Sequence, residues 1–124
     1  MLEYYSIEDI DFHDATIDKI SLESNSDFMD TIQITMVLCN QRRIRLTFQN
    51  CFSVGLELSM WILGDDSIRM WSFAPTKKQN DMIDKFIQKG FTLEKEKFKF
   101  INFDLNKTNS FVEITYQKVL ISSF

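Results

Sequence analysis

The residues able to do chemistry are few and scattered. The one histidine, His13, stands beside an acid in Phe12-His13-Asp14-Ala15. A histidine next to a carboxylate can act as a base held by its orienting partner. Adjacent residues on a strand point to opposite faces, however, so His13 and Asp14 need not touch. No Ser or Cys motif accompanies them. The expected role of His13 is structural, a half-buried imidazole held by polar partners. Cys39 and Cys51 fit none of the close Cys and His spacings of zinc sites. They read as free thiols, buried or partly buried. Gly55, Gly64 and Gly90 lie too far apart to form a phosphate-cradling loop. Asp65-Asp66, with Gly64 before and Ser67 after, reads as a turn rather than a cation site. Arg42, Arg43 and Arg45 could grip an anion, but a solvated strand face that guards a sheet edge is the simpler reading. No catalytic constellation emerges. The expectation is a protein that is not an enzyme and holds no metal or cofactor.

Charge layout is more informative. The first 30 residues hold nine acids and one base, Lys19. That quarter carries −8 and the remainder +4, which gives the total of −4. Glu8, Asp9, Asp11 and Asp14 are the densest acidic group and are the candidate partner-binding residues. Two readings stay open. The acids pair internally with the basic body, or they form a surface that steers a basic partner. A sequence pI near 4.9 argues against nucleic acid as the ligand, because phosphate binding needs clustered positive charge.

Elements must hold these residues in place, and composition bounds what they are. The chain has 124 residues, 44% hydrophobic and 14% aromatic, with 12 Phe. That suits a single domain, 1–124, with one core, and not a disordered chain. No apolar run nears the ~18 residues of a membrane helix. No leader is legible, so a cytoplasmic location and no membrane partner are expected. Two cysteines fit a reducing compartment.

Period-2 alternation dominates. In 31–38, Ile32, Ile34, Met36 and Leu38 share a face; in 43–49, Ile44, Leu46 and Phe48 do. Asn40-Gln41 between them predicts a hairpin. Alternation resumes at Phe52, Val54, Leu56, Leu58 and Met60, and Asn50-Cys51 marks a bend or bulge. Residues 17–23, 68–73, 92–103 and 111–121 also read as strands. Lys95, Lys97 and Lys99 then share one strand face. Trp71 and Phe73 fall on the face of Arg69, opposite Ile68 and Met70, and burial of these aromatics is the expected outcome.

One segment has helical period. Met82, Ile83, Phe86 and Ile87 line one face of a helix over about 77–89. Thr76 and Gln79 form a capping box, and Gly90 is placed as a left-handed C′ residue. Strands joined by short loops must pair antiparallel. The fold class is therefore α+β, mostly β: an antiparallel β-sandwich or strongly curled sheet of about seven or eight strands with one packed helix.

The opening Phe12-His13-Asp14-Ala15-Thr16-Ile17-Asp18-Lys19-Ile20 resembles that of small bacterial immunity proteins of polymorphic-toxin and contact-dependent growth inhibition systems. The strand order that follows is similar too, through 32–38, 43–48 and 112–116. The helix over 76–90 and the scarcity of glycine before the later strands depart from that pattern. The resemblance implies a non-catalytic cytosolic protein, monomeric when free, that binds and blocks one cognate protein toxin. A basic nuclease-type toxin would suit the acidic surface. The alternatives are a general protein-interaction module or subunit of a larger assembly and, further off, a small-ligand binder with a cavity between sheet and helix.

Overall fold

The computed structural model describes residues 6–23, 30–57, 67–90, 94–106 and 110–123. Among them are eight strands and one α-helix: β1 (Thr16–Glu23), β2 (Asp30–Val37), β3 (Arg43–Cys51), β4 (Ser53–Glu57), β5 (Ile68–Ser72), α1 (Lys77–Gln88), β6 (Lys99–Leu105), β7 (Phe111–Tyr116) and β8 (Lys118–Ser123). One sheet has the order β1-β2-β3-β8 and the other β4-β7-β6-β5, and every pairing is antiparallel.

The sandwich and the curled sheet are here one object. β3 and β4 are halves of a single bent strand, and so are β7 and β8. β3 pairs with β8 while β4 pairs with β7. The ladder carries across the bend through Phe52 N–H to Thr115 O (2.8 Å) and Gln117 N–H to Gln49 O (3.2 Å). Asn50, with φ 54°, turns the first strand. This left-handed conformation suits Asn better than most residues. The bend expected at Asn50-Cys51 is where one sheet becomes the other. At a second corner Thr16 bridges Ser67, which joins the edges formed by β1 and β5.

Alternation decides what lies between the sheets. Ile32, Ile34, Met36, Ile44, Leu46 and Phe48 point in from one sheet. Ile101, Phe103, Val112, Ile114 and Tyr116 point in from the other. Burying such a side chain is worth about 1.5–3 kcal/mol each. Phe48 and Tyr116 meet edge to face at 4.9 Å, a favoured aromatic geometry. The hairpin of β2 and β3 closes at 38–42, with Gln41 N–H on Leu38 O (2.9 Å) and Leu38 N–H on Arg42 O (2.8 Å). Gln41 at φ 70° supplies the left-handed residue a three-residue hairpin loop needs.

The helix packs on the outer face of the second sheet. Thr76 and Gln79 make both bonds of the capping box: Gln79 N–H to Thr76 Oγ1 (3.2 Å) and Thr76 N–H to Gln79 Oε1 (2.8 Å). Gln79 is buried and also donates from Nε2 to Asn102 Oδ1 of β6 (2.9 Å), tying helix to sheet. Asn102 alternates with the inward Ile101 and Phe103, so it stands on the outer face. Gly90, at φ 94°, ends the helix in the conformation glycine adopts most readily. Phe86 meets Phe52 at 5.1 Å, and Phe52 meets Phe98 at 5.3 Å. Ile83 is fully buried, Phe86 half-buried and Ile87 exposed. Ile83→Ala should therefore lower unfolding stability by about 2–5 kcal/mol. A urea titration measures it, and a loss under about 0.5 kcal/mol would mean that the helix contributes no core.

Two expectations need correction. Lys95 and Lys97 do not share a strand face with Lys99: Lys95–Lys97 is a 3₁₀ turn, and the strand begins at Lys99. Local i→i+3 bonds, Lys97 N–H to Glu94 O and Phe98 N–H to Lys95 O, replace the ladder there. In β5 a register shift between Ile68 and Met70 breaks simple alternation. Ile68 and Trp71 both face the core, and Trp71 lies against Phe12 at 5.8 Å. Met70 is exposed instead. The burial expected of Trp71 and Phe73 is partial, with both packed against the core. Residues 58–60, 64–66 and 92–93, which the sequence assigns to strand or turn, lie outside the described residues.

Candidate functional site

The acidic opening is built on an alternation of anchors and acids. Ile7, Ile10, Phe12 and Ala15 are buried, at 4%, 2%, 0% and 0% exposure. Glu8, Asp9, Asp11 and Asp14 between them are exposed. Ser6 caps a 3₁₀ turn at Ile7–Asp9 by accepting from the Glu8 N–H (3.4 Å), and its hydroxyl donates to the Glu8 carboxylate. Further on, Asp11 Oδ1 accepts from the His13 N–H (3.0 Å) and Ala15 N–H donates to Phe12 O (3.0 Å). Asp14 N–H bonds Ile68 O (3.2 Å) and Ile68 N–H bonds Ala15 O (2.8 Å). The four acids thus project from a backbone held to the core and to β5.

His13 is not the half-buried structural residue expected. Residues 12–15 form a turn, with Asp14 at φ 57°, so strand alternation does not apply. His13 Nε2 lies 3.3 Å from Asp14 Oδ2, with the two side chains 66% and 54% exposed. His13→Ala should change stability by less than about 0.5 kcal/mol in a thermal melt, as for other exposed positions.

Some of the acidic quarter is paired within the molecule. Asp18 accepts from Arg43 at 2.9 Å. The Glu8 carboxyl is held below its ordinary range, first by the Ser6 hydroxyl and its own N–H, with Lys99 adding a smaller pull. Glu8 borders a recess of about 200 Å³ with Lys99, Tyr116, Lys118 and Val119, while Asp14 stands at the corner over Ile68. Internal pairing thus accounts for Asp18 and in part for Glu8, while Asp9, Asp11 and Asp14 are exposed at the surface. Arg43 and Arg45 guard no edge, since β3 lies between β2 and β8.

The thiols differ sharply. Cys39 is exposed, and Cys51 is buried with its Sγ on Phe48 O at 3.4 Å. The exposure of Cys39 corrects the expectation of burial; it sits in the hairpin loop rather than on the inward face. Burial pushes the Cys51 thiol up to about 12, and Asp30 adds to the rise. Burial likewise pushes the Tyr116 hydroxyl up to about 12, with Glu8 adding to it. Both folded values lie above their unfolded ones, so this stabilisation is complete below about pH 9 and is lost as pH rises toward 12. A thiol reagent at pH 8 should label Cys39 at once and Cys51 only on unfolding. Urea stability should fall between pH 9 and 12; rapid labelling of both thiols would contradict the packing. Among the described residues no group of three or more His, Cys, Asp and Glu is placed to hold a metal ion. None of their helices is long and apolar enough to cross a membrane.

Two further acids, Asp104 and Glu113, stand on the outer face of the second sheet. The pattern that places them is their alternation with Ile101, Phe103 and Leu105 on β6 and with Val112 and Ile114 on β7. Fold and surface together define a small antiparallel β protein with one covering helix and an anchored acidic opening. Compared with known protein families, with characterised proteins and with solved structures, the chain matches none.

Proposed function

We propose that this chain is a non-catalytic binding protein that neutralises a basic protein toxin, of the nuclease type, through its acidic opening segment. The observation that supports this most is the anchored presentation of Glu8, Asp9, Asp11 and Asp14. Charges on a backbone fixed by Ile7, Ile10, Phe12 and Ala15 cost little further ordering on binding. Exposed and anionic, they would draw a cationic partner during its approach. A basic toxin that binds a polyanion offers the complementary surface. The resemblance of the opening motif to immunity proteins points the same way.

The test is capture from the native host on the immobilised protein at low salt, followed by mass spectrometry. The expected result is one basic protein, absent when Glu8→Gln, Asp9→Asn, Asp11→Asn and Asp14→Asn are combined. Equal retention by that variant would overturn the assignment of the surface, and an acidic or neutral partner would overturn the class.

A further inference from the structure

Tyr116 is the last residue of β7, where the chain leaves the second sheet for the first. The residue is 1% exposed, and its ring meets Phe48 edge to face between the sheets. Two recesses, of about 200 and 260 Å³, open beside it and share Glu8, Lys99 and Tyr116. Lys118 and Val119 also line the first, and Phe73, Phe98 and Phe100 line the second. Each is smaller than the ~300–1,000 Å³ of pockets for drug-sized ligands and suits a small molecule.

A buried tyrosine hydroxyl usually has a hydrogen-bond partner. Among the described residues this one has none. Nor is it sealed in. Every fully enclosed side-chain oxygen of the described residues is bonded, so the hydroxyl opens onto the recesses that Tyr116 lines. Burial pushes its titration up to about 12, so at neutral pH it keeps its proton and can donate.

The charges around it do not cancel. Lys99 and Lys118 are exposed, and among the described residues neither forms an ion pair. The Glu8 carboxylate already accepts from the Ser6 hydroxyl. Two ammonium groups against one carboxylate leave one positive charge, which a single negative charge balances. A phosphate dianion would exceed that balance and meet repulsion from Glu8. Phe98 is buried and Phe73 and Phe100 are half-buried, an apolar wall that no small inorganic anion would cover.

We propose that the paired recesses bind a small monocarboxylate with an apolar body. Its carboxylate accepts from the Tyr116 hydroxyl and is drawn by Lys99 and Lys118, and its body lies against Phe73, Phe98 and Phe100. A hydrogen bond to an ionised acceptor is about twice as strong as one between neutral groups, which favours an anion over its neutral isostere. The site is independent of the basic-partner reading above, because only Glu8 is common to the two.

The test is a titration of the isotope-labelled protein with phenylacetate at pH 7, followed by NMR, with phenylacetamide and inorganic phosphate as controls. Saturable shifts are expected at Ile7, Lys99, Phe100, Tyr116 and Lys118, weaker with phosphate and absent with phenylacetamide. Tyr116→Phe keeps the ring and removes only the hydroxyl. It should weaken phenylacetate binding by about tenfold or more, with the thermal melt showing an intact fold. Lys99→Gln combined with Lys118→Gln should weaken it similarly, whereas Asp9→Asn, Asp11→Asn and Asp14→Asn combined should respond as the parent does. No saturable shifts, equal shifts with phenylacetamide, tighter binding of phosphate, or unchanged affinity in a folded Tyr116→Phe variant would each overturn the proposal. Should Tyr116→Phe not fold, the lysine variant decides alone, and unchanged affinity there overturns it.

Discussion

Phe12→Ala should cost about 3–5 kcal/mol of unfolding stability, the range for deleting a buried phenylalanine. The ring is fully buried and meets Phe103 at 5.0 Å and Trp71 at 5.8 Å, both edge to face. It joins the acidic opening to the second sheet, so its removal leaves a cavity and releases the turn above. Against a typical stability of about 5–15 kcal/mol, the loss is a large share. Urea unfolding measures it, and hydrogen exchange locates it. The Asp14 and Ala15 amides, bonded to Ile68 O and Phe12 O, should exchange faster than in the parent even after correction for global stability. A loss below about 1 kcal/mol, with those amides still protected, would show that Phe12 is not the anchor of the opening segment.

The second large effect is on association. Combining Glu8→Gln, Asp9→Asn, Asp11→Asn and Asp14→Asn should slow binding of the proposed basic partner by about tenfold or more, since electrostatic steering contributes 10–10³ to on-rates. The parent's on-rate should fall steeply with salt, as the Debye length shrinks from ~10 Å at 0.1 M to ~3 Å at 1 M. The variant's should be nearly flat. Stability should hold, because these side chains are exposed and such changes usually stay within ~0.5 kcal/mol. Glutamine at position 8 keeps an acceptor for the Ser6 hydroxyl. Stopped-flow or surface-based kinetics read the rate. An unchanged on-rate would shift the interface elsewhere, and unfolding would mean that the acids chiefly stabilise the body.

Much of the fold was legible in the sequence, for reasons particular residues show. Ile32, Ile34 and Met36, then Ile44, Leu46 and Phe48, alternate because one face of each strand is buried. Thr76, Gln79 and Gly90 mark helix ends by side-chain and backbone chemistry that acts within a few residues. What escaped depends on distant pairing. The bulge near Arg69 turns Trp71 inward and Met70 outward, and it exists only because β5 pairs with β6 in that register. His13 and Asp14 read as strand residues until the bond from Asp14 to Ile68 O fixes a turn there. The bent strands show the same limit: Asn50 signals a change of direction, but not that β3 and β4 serve different sheets. The candidate acids were legible as a charge count. Their presentation depends on Ile7, Ile10 and Phe12 being buried by residues far along the chain. Asp104 and Glu113 become neighbours only through the pairing of β6 with β7.

The central claim is that the chain neutralises a basic toxic protein by binding it. The most direct measurement is growth of cells that express the captured partner, with and without this chain. The account predicts arrested growth from the partner alone, full rescue by the parent chain and loss of rescue when the four opening acids are neutralised. Growth that is unaffected by the partner, or equally rescued by the neutralised variant, would contradict it.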